Sequence, residues 1–143
     1  MALNILVVDD SSVMRAIIIK TLHLSQLPLG EVHQAANGQE ALKVLDGNWV
    51  DLALVDINMP VMDGEEMIRR LREDPDKSAL AVIVVSTEGS QARVHLLQEK
   101  GAAFVHKPFS PEDLKETILS LVIGVSDEQE DGEGAPQSGD LDF

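Results

Sequence analysis

"LALVDINMP", residues 52–60, sets an unbroken apolar run directly against an aspartate. A strand covered on both faces accounts for Leu52-Ala53-Leu54-Val55, yet it has no use for a carboxylate. A solvated loop would more often open on Gly, Ser or Asn. Asp56 therefore marks either a harmless strand exit or the rim of a site. The other strand exits decide between the two.

Working outward, the first 123 residues alternate between two textures. Short β-branched runs at 5–8, 32–36, 52–55, 82–85 and 104–105 read as strands. Between them the pairs and triples Val13/Ile17, Ala41/Leu42/Leu45, Met67/Ile68/Leu71, Val94/Leu97 and Leu114/Ile118/Leu121 carry helical spacing. Punctuation supports the helices. Ser110-Pro111-Glu112-Asp113 offers an N-cap, a proline at the first helical position and an acid at the third. Asn37-Gly38-Gln39-Glu40 is a second start of this type, Gly101 follows Lys100 as a helix stop, and Pro75 closes the third helix. Five strands alternating with five helices give an α/β domain with a parallel sheet.

Such sheets carry their sites outside the carboxyl ends of the strands. Strand one runs out into Asp9-Asp10, strand three into Asp56, strand four into Ser86-Thr87 and strand five into Lys107. Strand two leaves through Ala36-Asn37-Gly38, which is plain turn chemistry. Any one exit alone reads as a solvated strand end; four of five with a charge or hydroxyl point to convergence. Two carboxylates ~4 Å apart repel by roughly 4 kcal/mol at an effective dielectric of about 20. Three of them with one lysine call for a further cation. A donor set of oxygens without His or Cys suits a hard ion such as Mg2+. A carboxylate beside such an ion invites phosphoryl chemistry with an aspartate as nucleophile.

Composition narrows the classes. The chain has 143 residues, enough for one domain with a real core, and 44% of them are apolar. Aromatics are 3% and the net charge is −14, which argues against nucleic acid and anionic membranes as partners. No run is long enough to span a bilayer, and the N-terminus lacks a basic leader region. There are no cysteines, so disulfides and thiolate metal sites are excluded and a cytoplasmic location is the expectation. Residues 124–143 hold seven acids and no bases, leaving 18 acids against 11 bases in the rest. The expected division is a folded domain over 1–123 and an acidic, glycine-rich, disordered tail over 124–143. Its end, Asp140-Leu141-Asp142-Phe143, has the composition of a short docking motif, against the plainer reading of a solvated extension.

Four stretches together, "ILVVDDSSVMR" (5–15), "LVDINMPVMDG" (54–64), "VIVVSTEG" (82–89) and "FVHKPF" (104–109), resemble the receiver domain of two-component response regulators, most closely the stand-alone CheY-like chemotaxis type. The resemblance covers about residues 3–123 with the motifs in order. It implies a flavodoxin-like fold with strand order 2-1-3-4-5 and helices on both faces. It also implies that Asp56 is the phosphoacceptor. Asp10 would hold Mg2+ (or Mn2+) directly, Asp9 mainly through water, and Asn58 through its backbone carbonyl. Ser86 matches the hydroxyl that bonds a phosphoryl oxygen, and Lys107 the lysine that pairs with another. Lys107-Pro108 resembles the family's cis peptide, and Phe104 its aromatic switch.

Two further positions tune the rate in this family, Asn58 and Glu88. The pair resembles that of fast-decaying chemotaxis regulators, with an aspartyl phosphate lasting seconds to minutes; Thr87, bulkier than the family's usual alanine, opposes that by shielding the phosphoryl group. The implied partners are a histidine kinase or phosphotransfer protein as donor and a protein target. The target would bind the face made by the fourth helix, fifth strand and fifth helix, which includes Val94, His95, Phe104 and Val105. His106 reads as a tolerated, partly buried side chain. A monomer is expected, catalysing only its own phosphorylation and dephosphorylation. Three alternatives stand beside it. A receiver cut from a longer regulator would share every motif. A phosphatase with an aspartate nucleophile would want that residue at the end of strand one with an acid two positions on, and Asp9-Asp10-Ser11 lacks that spacing. A flavin or nucleotide binder would want glycines or a phosphate-binding lysine after strand one, where Ser11-Ser12-Val13 stands.

Overall fold

The computed structural model describes residues 2–87 and 91–130. The elements alternate throughout: β1 (Leu3–Val8), α1 (Ser12–Leu24), β2 (Leu29–Ala35), α2 (Gly38–Gly47), β3 (Leu52–Val55), α3 (Gly64–Glu73), β4 (Ala81–Ser86), α4 (Gln91–Glu99), β5 (Ala103–His106) and α5 (Pro111–Glu130). The strands form one sheet in the order β2-β1-β3-β4-β5, with every pairing parallel. The strand order implied by the resemblance is the one observed. Glu88, expected to tune the phosphoryl lifetime, lies outside the described residues, as do positions 131–143.

Alternation of side chains divides each strand between two apolar layers. Leu6, Val8, Ala53, Val55, Val82 and Val84 pack with Ala41 of α2, Met67, Ile68 and Leu71 of α3, and Leu97 of α4. Leu3, Ile5, Val7, Leu52, Leu54, Ile83 and Val85 pack on the other side with Ile18 and Leu22 of α1 and Leu114 and Ile118 of α5. All four residues of β3 are fully buried, which is why the run shows no polar alternation. Each such leucine contributes about 1.5–3 kcal/mol on burial.

The caps follow the sequence. Ser110 and Asp113 bond reciprocally, the Asp113 N–H to Ser110 Oγ at 3.0 Å and the Ser110 N–H to Asp113 Oδ2 at 3.1 Å. Asn37 accepts the Glu40 N–H at 2.9 Å. Gly101 takes a φ of +84° just after α4, a conformation an L side chain rarely adopts. Three expectations differ in detail. Val13 and Ile17 are 69% and 48% exposed, and α1 buries Ile18 and Leu22 instead. Three consecutive isoleucines at 17–19 leave the phase of the apolar stripe open in the sequence. β2 starts earlier than 32, because Leu29 already pairs with Leu3. α5 continues past position 123 to Glu130, into the stretch expected to be tail.

Candidate functional site

Parallel pairing puts all the strand exits on one edge, and backbone hydrogen bonds carry the register past the strands themselves. The Asp9 N–H donates to the Ala35 carbonyl at 3.1 Å, the Asp56 N–H to Val8 at 2.9 Å and the Lys107 N–H to Ser86 at 2.9 Å. These bonds fix the backbone at Asp9, Asp56 and Lys107 before their side chains have made a contact. One carboxylate oxygen from each of Asp9, Asp10 and Asp56 then lies within 4.8 Å of the other two. Lys107 Nζ stands 3.4 Å from Asp9 Oδ2 and 3.9 Å from Asp56 Oδ1.

Burial grades the three acids. Asp9 is 2% exposed, Asp56 is partly buried and Asp10 is exposed. Asp9 Oδ1 accepts the Ser11 N–H at 2.9 Å, so both of its oxygens are engaged. Burial pushes the Asp56 carboxyl above its ordinary range. The Lys107 ammonium pulls it down, the Asp9 charge raises it, the Ile57 N–H lowers it and Asp10 raises it. The site thus holds more negative charge than Lys107 alone balances. Three carboxylates around one ammonium, with oxygen donors only, fit a divalent hard cation.

The remaining positions fall where the strands put them. Ser86 ends β4 and is 1% exposed; Thr87, next to it, is exposed. Asn58 is exposed on the loop after Asp56. The Lys107–Pro108 peptide is cis. Phe104, on β5, is partly buried against the layer that holds α4, with its ring 6.0 Å from that of His106. His106 is exposed rather than partly buried, since β5 turns that side chain outward at its end.

Two contributors escaped the sequence reading. The Gly64 N–H donates to the Ile57 carbonyl at 2.8 Å, and a Cβ on Gly64 would come within 2.3 Å of the Asp56 carbonyl oxygen. The start of α3 therefore packs directly on the backbone of Asp56, which only glycine permits. Asp63-Gly64 stands just ahead of the Met67/Ile68/Leu71 stretch in the sequence, but nothing there marks its contact with Asp56. The second is Arg15, whose Nη1 donates to the Asp9 carbonyl at 2.6 Å.

A parallel five-stranded sheet with this acidic edge defines the class, and the chain belongs to the response regulator receiver domain family, whose model matches residues 5–119. Among curated relatives it is similar to chemotaxis protein CheY1 of Helicobacter pylori, 39% identical over 127 residues that cover 87% of this chain and 100% of the relative. The CheY homolog of Campylobacter jejuni is 38% identical over 137 residues, 94% of this chain and 100% of that protein. Among solved structures, the chemotaxis response regulator CheY4 of Vibrio cholerae superposes with a TM-score of 0.75 at 31% identity, covering 85% of this chain and all of that one. A CheY-like receiver domain from Methanospirillum hungatei gives 0.73 at 28% identity, over 92% of this chain and 99% of that one. The chain is a CheY-like response regulator receiver, a signalling regulator in class.

Proposed function

We propose that this receiver takes a phosphoryl group on Asp56 in a Mg2+-dependent reaction and passes the change to a protein target, in chemotaxis. The observation that carries this is the meeting of Asp9, Asp10 and Asp56 within 4.8 Å of one another, with Lys107 Nζ 3.9 Å from Asp56. In the reaction an Asp56 carboxylate oxygen forms the new bond to phosphorus as the bond from phosphorus to the donor breaks. The donor is a phosphohistidine of a kinase or phosphotransfer protein, whose imidazole leaves with its electron pair. Asp56 must be ionised to attack, and burial opposes that; Lys107 favours the charged form. Asp9 and Asp10 would hold Mg2+ (or Mn2+) with Asp56 and the Asn58 carbonyl. Bound there, the ion would neutralise charge on the incoming phosphoryl oxygens. Ser86 and Lys107 would each bind one phosphoryl oxygen.

The output would run through α4, β5 and α5. Phe104 is partly buried between the sheet and solvent, and Leu96 on α4 is 48% exposed beside the exposed His95. A ring that is neither sealed in nor fully solvated suits an element with two positions, whose population the phosphoryl group shifts. The Helicobacter pylori and Campylobacter jejuni relatives, each matched over its full length, are named as chemotaxis proteins, which supports a receiver acting by protein contact; a cytoplasmic monomer completes the reading. No helix among the described residues is long and apolar enough to cross a membrane. Asn58 and Glu88 would set a phosphoryl lifetime of seconds to minutes, with Thr87 as the shield that lengthens it; a lifetime of hours overturns that part.

Intact-mass analysis after incubation with acetyl phosphate and Mg2+ tests the phosphoacceptor on which the rest of the reading stands. One phosphoryl adduct is expected on the wild type and none on Asp56→Asn. An adduct that survives the substitution places the acceptor elsewhere. Continuous hydrolysis of an unrelated phosphoester by the wild type would turn the reading towards a phosphatase.

A further inference from the structure

The three acids of the site are not held equally. Both Asp9 oxygens are bonded, Oδ1 by the Ser11 N–H and Oδ2 by Lys107 Nζ, while Asp56 has Lys107 and the Ile57 N–H. Among the described residues no hydrogen bond holds the carboxylate of the exposed Asp10. Its position rests on its backbone, and the peptide unit that precedes it ends in the Asp9 carbonyl. That carbonyl accepts a charge-assisted hydrogen bond from Arg15 Nη1 at 2.6 Å. The same guanidinium is anchored at its other side, with Nε donating to Gln34 Oε1 at 2.9 Å. Gln34 lies on the edge strand β2, opposite Val7 of β1. Arg15 itself stands on the first turn of α1, whose cap at Ser11 bonds Met14 N–H at 3.1 Å. One rigid planar group thus ties the helix, the edge strand and the peptide between the two acids.

We infer that Arg15 is a positioning residue for the cation site: by holding the Asp9–Asp10 peptide from the β2 edge, it sets where the otherwise unsupported Asp10 carboxylate stands. The inference rests on the proposed divalent-cation site and adds to it a residue outside the acidic cluster. It also has a sign that separates it from bulk electrostatics. Arg15 is a positive charge close to a cation site, so deleting it on charge grounds alone would tighten cation binding. Loss of positioning acts the other way. Groups that orient metal ligands from behind typically change affinity by about 10–100-fold.

The test is Mg2+ affinity, read by isothermal titration or by the Mg2+-dependent rise in melting temperature, with no turnover involved. Arg15→Ala is expected to bind Mg2+ about tenfold more weakly than the wild type. Arg15→Lys keeps the charge and one donor but cannot bridge to Gln34; it should fall between. Gln34→Leu, which removes no charge and no carboxylate of the site, should weaken binding by a few-fold, and the Arg15→Ala/Gln34→Leu pair should be non-additive because they break one linkage. Unchanged or tighter Mg2+ binding by Arg15→Ala overturns the inference. Melting curves without Mg2+ check folding; if Arg15→Ala is unfolded, Arg15→Lys and Gln34→Leu decide, and wild-type affinity in both overturns it. A wild type that binds no Mg2+ at millimolar concentration would overturn the cation site itself.

Discussion

Asp56 sits 14% exposed at the side chain, with two other carboxylates within reach and one ammonium to offset them. Burial is the largest influence on its carboxyl and raises it above the ordinary value near 3.8. A raised folded-state value means that the native state holds this proton to higher pH than the unfolded chain does. Stability must then fall as pH rises from the unfolded value through the raised one. In EDTA, the wild type is expected to lose stability over that window while Asp56→Asn does not, so their thermal melts should diverge there. At neutral pH the variant should melt higher than the wild type. Coincident pH profiles would show that Asp56 is not destabilised when ionised. A second residue-scale prediction lies on the same loop. Val61 has a φ of +68° although it is β-branched and 76% exposed. Strain of this kind costs about 1–3 kcal/mol, and asparagine tolerates the conformation far better. Val61→Asn should raise stability in urea unfolding by about 1 kcal/mol, since little burial is lost; a loss of stability would contradict it. Asp56 stood out in the sequence because a carboxylate ended a buried strand, and the structure places it in the acidic cluster. Val61 was not, because a valine in a loop carries no mark of its φ.

Elements were legible where punctuation is local. The Ser110/Asp113 and Asn37/Glu40 caps and the stop at Gly101 each rest on residues within a turn of one another, so the sequence displays them. The phase of α1 was not legible, because three isoleucines in a row leave the side facing the core to the sheet rather than to the helix. Contacts between distant elements were also hidden, and Arg72 is the clearest. From α3 its Nε donates to the Lys100 carbonyl at 2.7 Å, and its Nη1 to Leu80 at 2.8 Å and Ser78 at 3.1 Å. The guanidinium is partly buried, and that burial lowers its affinity for the proton without discharging it. It therefore joins the C-terminal ends of α3 and α4 to the start of β4, and at Lys100 it takes a carbonyl left open just past the end of α4. Arg72→Met keeps much of the side-chain volume and removes the donors. A loss of about 2 kcal/mol in denaturant unfolding is expected, since bonds from charged donors are worth ~1.5–3 kcal/mol. Amide exchange should quicken around residues 99–102 ahead of β1 and β3. A variant as stable as the wild type would make the clamp redundant.

For the whole molecule, the carboxylate cluster exists only when the sheet is formed. Asp10 and Asp56 are distant in sequence and meet because β1 and β3 pair in parallel, with Val8 opposite Val55. An unfolded chain of net charge −14 attracts cations diffusely but offers no such pocket. A divalent ion that binds the folded edge must then stabilise both apolar layers at once, because the sheet between them is shared. At a hundred times its dissociation constant the gain is about 2.7 kcal/mol, or ~8 °C in a domain of this size. Asp10→Asn separates this linkage from general charge relief. Asp10 is exposed, so its replacement should shift melting in EDTA by less than about 2 °C, near the small effects usual for surface positions. It removes one of the proposed ligands nonetheless, so most of the Mg2+-dependent rise should vanish, while added NaCl at matched ionic strength should reproduce little of the wild-type rise. An Asp10→Asn protein that keeps the full Mg2+ response, or a wild type stabilised equally by NaCl, would mean that the ion acts on the acidic surface at large rather than at the strand ends.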